Sequence, residues 1–229
     1  MLYSKDKLEA VKQVAESLGE LKESVVFVGG AVIDLYVDDS GAEDIRPTKD
    51  VDITTEITST EKLEDLRQEL TNRGFKQSHE DQVICRFRLG NLLVDVMSTH
   101  PIDWVPANRW FKPGFDHLEV KKIDTTYINI LSLPFYLAAK FESHQDRGGQ
   151  DPRMSKDFED ITFLLDNITD FKTQVYNAPQ DVRKYLFNWF EYISDDDELQ
   201  EAIIANLPPA NRQERFEMII DSVNQLRIS

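Results

Sequence analysis

The sequence predicts an α/β (α+β) protein, with a mixed sheet in residues 1–130 followed by a helical portion in residues 131–229. Three observations predict it. Up to about residue 130, short β-branched runs bounded by glycine and polar breakers alternate with stretches of helical spacing. From Ser132 onward apolar residues recur every three to four positions through successive segments. A chain of 229 residues, 41% hydrophobic and 30% charged, is long enough to bury one large core or two small ones.

The elements follow in order. Leu8, Val11, Val14, Ala15 and Leu18 lie at helical spacing, so residues 5–18 form an amphipathic helix. "SVVFVGG" is a short apolar strand running into Gly29 and Gly30, and "AVIDLYV" is a short helix starting directly after them. "DDSGAEDIRP" is an acidic loop broken by Gly41 and Pro47, and "KDVDITTEI" is a strand rich in β-branched residues. Residues 59–72 form a helix capped by Ser59 or Thr60, with Glu61 and Glu64 early and Gly74 after its end. "QVICRFRLGNLLVDVMS" reads as two strands joined at Gly90–Asn91, and "LEVKKIDTTYINIL" continues in short extended segments. Helices then follow in "SLPFYLAAKFESHQ", "SKDFEDITFLLDN", "DVRKYLFNWFEYI" and "NRQERFEMIIDSVNQLR". "SDDDELQ" is acidic but too short to be a disordered tail.

The net charge of −16 disfavours broad, non-specific nucleic-acid binding, which needs a basic surface, but permits local contacts or an acidic ligand held through a metal. No apolar run reaches the roughly 20 residues of a membrane helix, and "MLYSKDKLEA" lacks a signal-peptide core, so the expected residence is cytoplasmic with no membrane partner. Cys85 is the single cysteine, which rules out an internal disulfide, and its apolar surroundings mark a buried structural thiol.

The chemistry concentrates in "RPTKDVDITTE". Residues two apart on a strand share a face, so Asp50 and Asp52 point together while Val51 and Ile53 point to the core. Two carboxylates this close repel, and each raises the other's pKa. A divalent cation with hard oxygen ligands relieves the repulsion; the plainer reading is a strand end where both reach water. "FVGGAV" adds a strand, two glycines and a helix start, where phosphate can approach backbone N–H groups with no Cβ in the way. Taken alone, the glycine pair is equally a tight turn. Asp95 interrupts the apolar strand "NLLVDVMS"; it either joins the acidic set as metal ligand or base, or pairs with Arg86 or Arg88 on the preceding strand. Arg46 and Lys49 flank the aspartates and either pair with them or bind phosphate.

"VGGAVIDLYV…RPTKDVDI" resembles the nucleotidyltransferase superfamily with its polymerase-β-like fold, whose signature is a strand, a glycine pair, a helix, Asp-x-Asp on the next strand and a later third acid. Gly29, Gly30, Asp50, Asp52 and Asp95 take those positions. "VGGAV-ID" with "KDVDI-T" is also similar to the CCA-adding enzymes, which carry an arginine where this chain has Ile33; the Gly30–Asp50 spacing is lengthened by the insert Asp38–Asp44. "LSLPFYLAAKFESHQDRGGQDPRMSKDFEDITFLL" resembles the AbiEii-type toxin nucleotidyltransferases, with Lys140, Arg147, Lys156, Asp157 and Asp160 matching.

The resemblance, covering roughly residues 25–165, implies a metal-dependent enzyme that moves a nucleoside monophosphate from an NTP to a hydroxyl acceptor. It implies Asp50, Asp52 and Asp95 as ligands of Mg²⁺ or Mn²⁺, with Gly29, Gly30 and Lys49 around the nucleotide. Lys140 would contact the phosphates, with Arg147, Lys156, Asp157 and Asp160 supporting the site. The acceptor would be a tRNA or other RNA end, a protein or a small molecule, and a cognate antitoxin is the partner such a toxin would have. The rival is a catalytically inactive member of the same fold kept to bind a protein partner. From the residues alone, Lys140 in "FYLAAKF" also reads as a lysine snorkelling to water, and Asp157 and Asp160 as acids favoured near a helix N-terminus. His79, His100, His117 and His144 show no metal-ligand spacing, and Trp104 and Trp110 in "DWVPANRWF" read as loop packing before base stacking.

Overall fold

A computed structural model describes residues 4–38, 47–78, 81, 85–102, 105–147 and 151–226. The acidic insert beyond Asp38, Arg46, His79 and Trp104 lie outside the described residues. The chain divides into two compact units, one drawn from Met1–Leu35 and Asp44–Ser132, the other from Tyr36–Glu43 and Leu133–Ser229. Among the described residues no helix is long and apolar enough to cross a membrane.

The first unit opens with α1 (Ser4–Leu18), whose Val11, Val14, Ala15 and Leu18 are fully buried as their spacing requires. Leu8 is only half-buried, and the neighbouring Lys7 is fully buried, its ammonium 3.1 Å from Asp34. A 3₁₀ turn (Gly19–Ser24) leads into β1 (Val25–Val28), all of it buried. Gly29 then turns the chain with φ +70° into a 3₁₀ helix, Gly30–Leu35, where the sequence predicts a short α-helix. β2 (Asp50–Thr55) follows, then α2 (Thr60–Asn72), capped by the Ser59 hydroxyl, which accepts from the Lys62 N–H.

β3 (Arg86–Leu89) and β4 (Leu92–Ser98) form the expected hairpin, closed through Gly90 at φ +59°. Cys85 precedes β3 rather than lying in it, though its carbonyl still accepts from the Val96 N–H. A short helix, α3 (Phe111–Gly114), lies beyond Trp110; the tryptophan is buried, as loop packing demands. β5 (Leu118–Ile123) and β6 (Thr126–Leu131) pair as a second hairpin turning at Asp124, φ 52°.

These strands make one mixed sheet in the order β3-β4-β2-β1-β6-β5. β2 runs parallel to β4 and antiparallel to β1, and β1 runs parallel to β6. The register sets Asp52 beside Asp95, Val28 beside Asp52, and Arg86 beside Asp95.

Burial pushes the Cys85 thiol up, with Asp95 adding to the effect, to about 11 from an ordinary 9.0. At pH 8 the folded protein should therefore carry about a hundredfold less Cys85 thiolate than the unfolded chain. Iodoacetamide labelling followed by mass spectrometry, with and without urea, checks this; equal rates in both would overturn it.

The second unit is helical. α4 (Leu133–Asp146) is apolar on nearly every face, and all its residues from Leu133 through Phe141 are buried, as befits a helix enclosed by others. Around it lie α5 (Lys156–Asn167), α6 (Phe171–Tyr176) and α7 (Gln180–Asp195). Phe141 stacks on Trp189 at 4.7 Å and meets Phe190 edge-on at 6.3 Å. The acidic run in "SDDDELQ" has a structural use. Asp196 caps α8 (Asp197–Asn206), accepting from the Glu198 and Leu199 N–H groups, with Asp197 and Glu198 in the first turn. α9 (Arg212–Asn224) closes the described chain.

Candidate active site

Asp50 and Asp52 lie two apart on β2, with Val51 and Ile53 buried between and beyond them, as strand alternation requires. Parallel pairing of β2 with β4 adds Asp95 directly beside Asp52 on the same face. β3 contributes Arg86, facing Asp95 across the hairpin. Its Nε donates to Asp95 Oδ1 at 2.7 Å and its Nη2 to Asp95 Oδ2 at 2.6 Å, a two-point fork. The same Nη2 donates to Asp50 Oδ2 at 2.9 Å. The Thr48 hydroxyl donates to Asp50 Oδ1 at 3.2 Å. These side chains are only partly enclosed: Asp50 is 26% exposed, Arg86 18% and Asp95 14%. Pairing with Asp95 raises the Arg86 pKa further above its already high ordinary value, so the guanidinium is a permanent cation.

Gly29 joins this group from β1. A Cβ built there would fall 1.8 Å from Asp52 Oδ2, 2.6 Å from its Cγ and 2.8 Å from its Cβ. The space a side chain would take is therefore filled by the Asp52 carboxylate. Gly29 also needs the left-handed backbone at φ +70°, which disfavours any other residue. Gly30 follows at the start of the 3₁₀ helix, and Lys49 is exposed immediately before Asp50.

The helical unit brings a second set together. Lys140 on α4 is 7% exposed and donates to Asp160 Oδ2 at 2.5 Å and to Asp157 Oδ1 at 3.4 Å, both on α5. Arg147, largely exposed, lies 3.1 Å from Asp157 Oδ2, and Lys156 is exposed at the start of α5. Lys140 thus reaches carboxylates rather than water. Ser155, not Asp157 or Asp160, caps α5, accepting from the Phe158 N–H while also bonding His144 Nδ1 at 2.8 Å. Burial lowers the His144 pKa, with Asp157 opposing, and the ring is held as a packed structural histidine. His117 is exposed.

Residues 14–225 match the family described as nucleotidyl transferase AbiEii toxin, type IV toxin–antitoxin system. The chain belongs to the AbiEii family. Two solved structures share the fold. An antigenic nucleotidyltransferase-like protein from Paracoccidioides brasiliensis is 18% identical with a TM-score of 0.53, the match covering 89% of this chain and 94% of that one. JHP933 from Helicobacter pylori is 11% identical with a TM-score of 0.50, covering 97% of this chain and 91% of that one. No match to a curated protein was found.

In this AbiEii chain the sheet unit gathers Gly29, Asp50, Asp52 and Asp95 on one face, while Lys140, Arg147, Asp157 and Asp160 gather in the helical unit. Arg86 is the main addition to the residues named from the sequence as site members, and a signal for it existed. A two-residue hairpin at Gly90–Asn91 pairs Leu89 with Leu92, and counting outward places Arg86 opposite Asp95. The contact of Gly29 with Asp52 had no such signal, because β1 and β2 are joined by a long connection that leaves their register open in the sequence.

Proposed function

We propose that this chain is a metal-dependent nucleotidyltransferase that moves a nucleoside monophosphate from an NTP to a hydroxyl. The observation that carries this is the convergence of Asp50, Asp52 and Asp95 on one sheet face beside the Gly29–Gly30 turn. The donor set suits Mg²⁺ or Mn²⁺: Asp50 and Asp52 offer hard oxygens at a partly open position, leaving triphosphate oxygens and water to complete the coordination. Among the described residues no group of three or more His, Cys, Asp or Glu side chains is placed to hold a metal ion by itself. Such an ion, when bound, neutralises triphosphate charge and stabilises the leaving pyrophosphate.

The chain's own part is binding, orientation and proton transfer. Asp50 and Asp52 would hold the cation that binds the triphosphate. Gly29 lets Asp52 lie flat against the β1 turn, and Gly30 leaves the backbone open beside it. The acceptor oxygen attacks the α-phosphorus, the α–β bridging P–O bond breaks, and pyrophosphate departs. Asp95 takes the hydroxyl proton; its carboxylate keeps lone pairs beyond the two the Arg86 fork uses. The acceptor is an RNA end, a protein side chain or a small molecule, and the type IV designation of the family brings a cognate antitoxin as partner.

Incubation with each labelled NTP and cell extract should mark one acceptor and release pyrophosphate, and Asp52→Asn should lower the rate at least about a hundredfold. Unchanged labelling in Asp52→Asn would sink the assignment. For Lys140, Arg147, Lys156, Asp157 and Asp160 the proposal includes a nucleotide role. Arg147 is 59% exposed, so Arg147→Ala should leave stability nearly untouched and is the cleanest probe of NTP affinity.

One observation favours a second reading, a non-catalytic module that binds a protein partner: Arg86 already pairs with Asp95 and, through one bond, with Asp50. Mg²⁺ plus NTP raises the melting temperature of an enzyme by mass action and leaves such a module unchanged.

A further inference from the structure

We infer that Arg86 is a positioning residue of the acidic site that stands in for cation charge, and that it must release Asp50, while keeping Asp95, for a divalent cation to bind. This rests on the metal-dependent reading above.

Three carboxylates converge on this face of the sheet, and repulsion among them opposes folding unless positive charge is present. Arg86 supplies it from within the chain, with two parallel hydrogen bonds to Asp95 and one from the shared Nη2 to Asp50. The two holds are unequal. The Asp95 fork is 2.7 and 2.6 Å long and is built on a register pair of one tight hairpin. The Asp50 contact is single, longer at 2.9 Å, and made to the more exposed of the two carboxylates Arg86 holds. At Asp50 an approaching cation therefore competes with the weaker of the two holds of Arg86. Arg86 remains on Asp95 and holds that carboxylate in a fixed plane. Lysine cannot replace this geometry, because an ammonium is a point charge without a planar fork.

The test is calorimetric titration of Mn²⁺, without nucleotide, into the full-length protein, paired with thermal unfolding with and without Mn²⁺. Arg86→Gln removes the competing charge, so Mn²⁺ affinity should rise about tenfold or more. Its melting temperature should fall without metal and recover on adding Mn²⁺ by a larger shift than wild type shows. A purely structural ion pair would lower stability and leave the metal response unchanged, which overturns the inference. Should Arg86→Gln not fold, Arg86→Met, which likewise removes the charge, decides: affinity above wild type supports the inference, and affinity equal to or below it overturns it. Heat in wild type with no gain in either variant removes the role of Arg86 alone. No Mn²⁺ binding in any of the proteins overturns both this role and the metal-dependent reading.

Discussion

Gly29→Ala is expected to abolish nucleotide transfer and to lower the stability of the fold by roughly 2–4 kcal/mol. Two separate effects add. At φ +70° an alanine pays the strain of the left-handed region, about 1–2 kcal/mol. Its Cβ also meets Asp52 at 1.8 Å from Oδ2, 2.6 Å from Cγ and 2.8 Å from Cβ. Swinging the Asp52 side chain relieves the first two contacts but not the third, because Cβ does not move with χ1. β1 and β2 must therefore separate, and the carboxylate loses its place next to Asp95. Urea unfolding of Gly29→Ala, Gly29→Ala/Asp52→Ala and Gly29→Ala/Asp52→Gly separates the terms. Stability should recover stepwise along that series, leaving the backbone strain as the residue of the loss. A wild-type midpoint for Gly29→Ala would show that Asp52 does not fill this space.

The second large effect belongs to the helical unit. Asp160→Ala is expected to destabilise by about 3–5 kcal/mol, because it removes the short contact of the buried Lys140 ammonium and leaves the longer 3.4 Å contact to Asp157. Lys140→Met should lose a similar amount, since Asp160 is 0% exposed and loses its cationic partner. Replacing both, Lys140→Met with Asp160→Leu, should cost less than either change alone, because an apolar pair of similar volume avoids the uncompensated charge. Asp157 retains Arg147 at 3.1 Å in that variant. Thermal melts of the two single variants and the double variant form the cycle; additive losses would show that the pair is not coupled. The double variant, once folded, also measures how NTP affinity depends on the Lys140–Asp160 pair.

Much of the sheet unit was legible in the sequence because its signals are local. Strand alternation alone puts Asp50 and Asp52 on one face, and the Gly90–Asn91 turn alone marks the β3–β4 hairpin. Helix ends were equally readable where a side chain caps the adjacent backbone, as Ser59 does. Where expectation and structure diverged, a distant partner decided. Helical spacing favoured Leu8, yet Lys7 is the buried residue, since its ammonium finds Asp34 after the Gly29–Gly30 turn. Asp157 and Asp160 look like first-turn acids in sequence, but Ser155 satisfies the cap and the acids pair with Lys140. α8 is absent from the helices read in the sequence, where its acidic start "SDDDELQ" is noted only for its charge; Asp196 caps it in the structure.

The sequence by itself determined the paired aspartates on one strand face, the glycine turn before them and the change to helices after residue 131. These depend on periods of two and 3.6 residues and on turn chemistry, all set within a few positions. Only the tertiary structure decided that Asp52 fills the missing side chain of Gly29, that Arg86 is shared between Asp95 and Asp50, and that Lys140 is buried against α5. Each of these is a pairing between groups far apart in the chain or a choice among several nearby charges. Burial and hydrogen-bond geometry make that choice only when the strands and helices have packed.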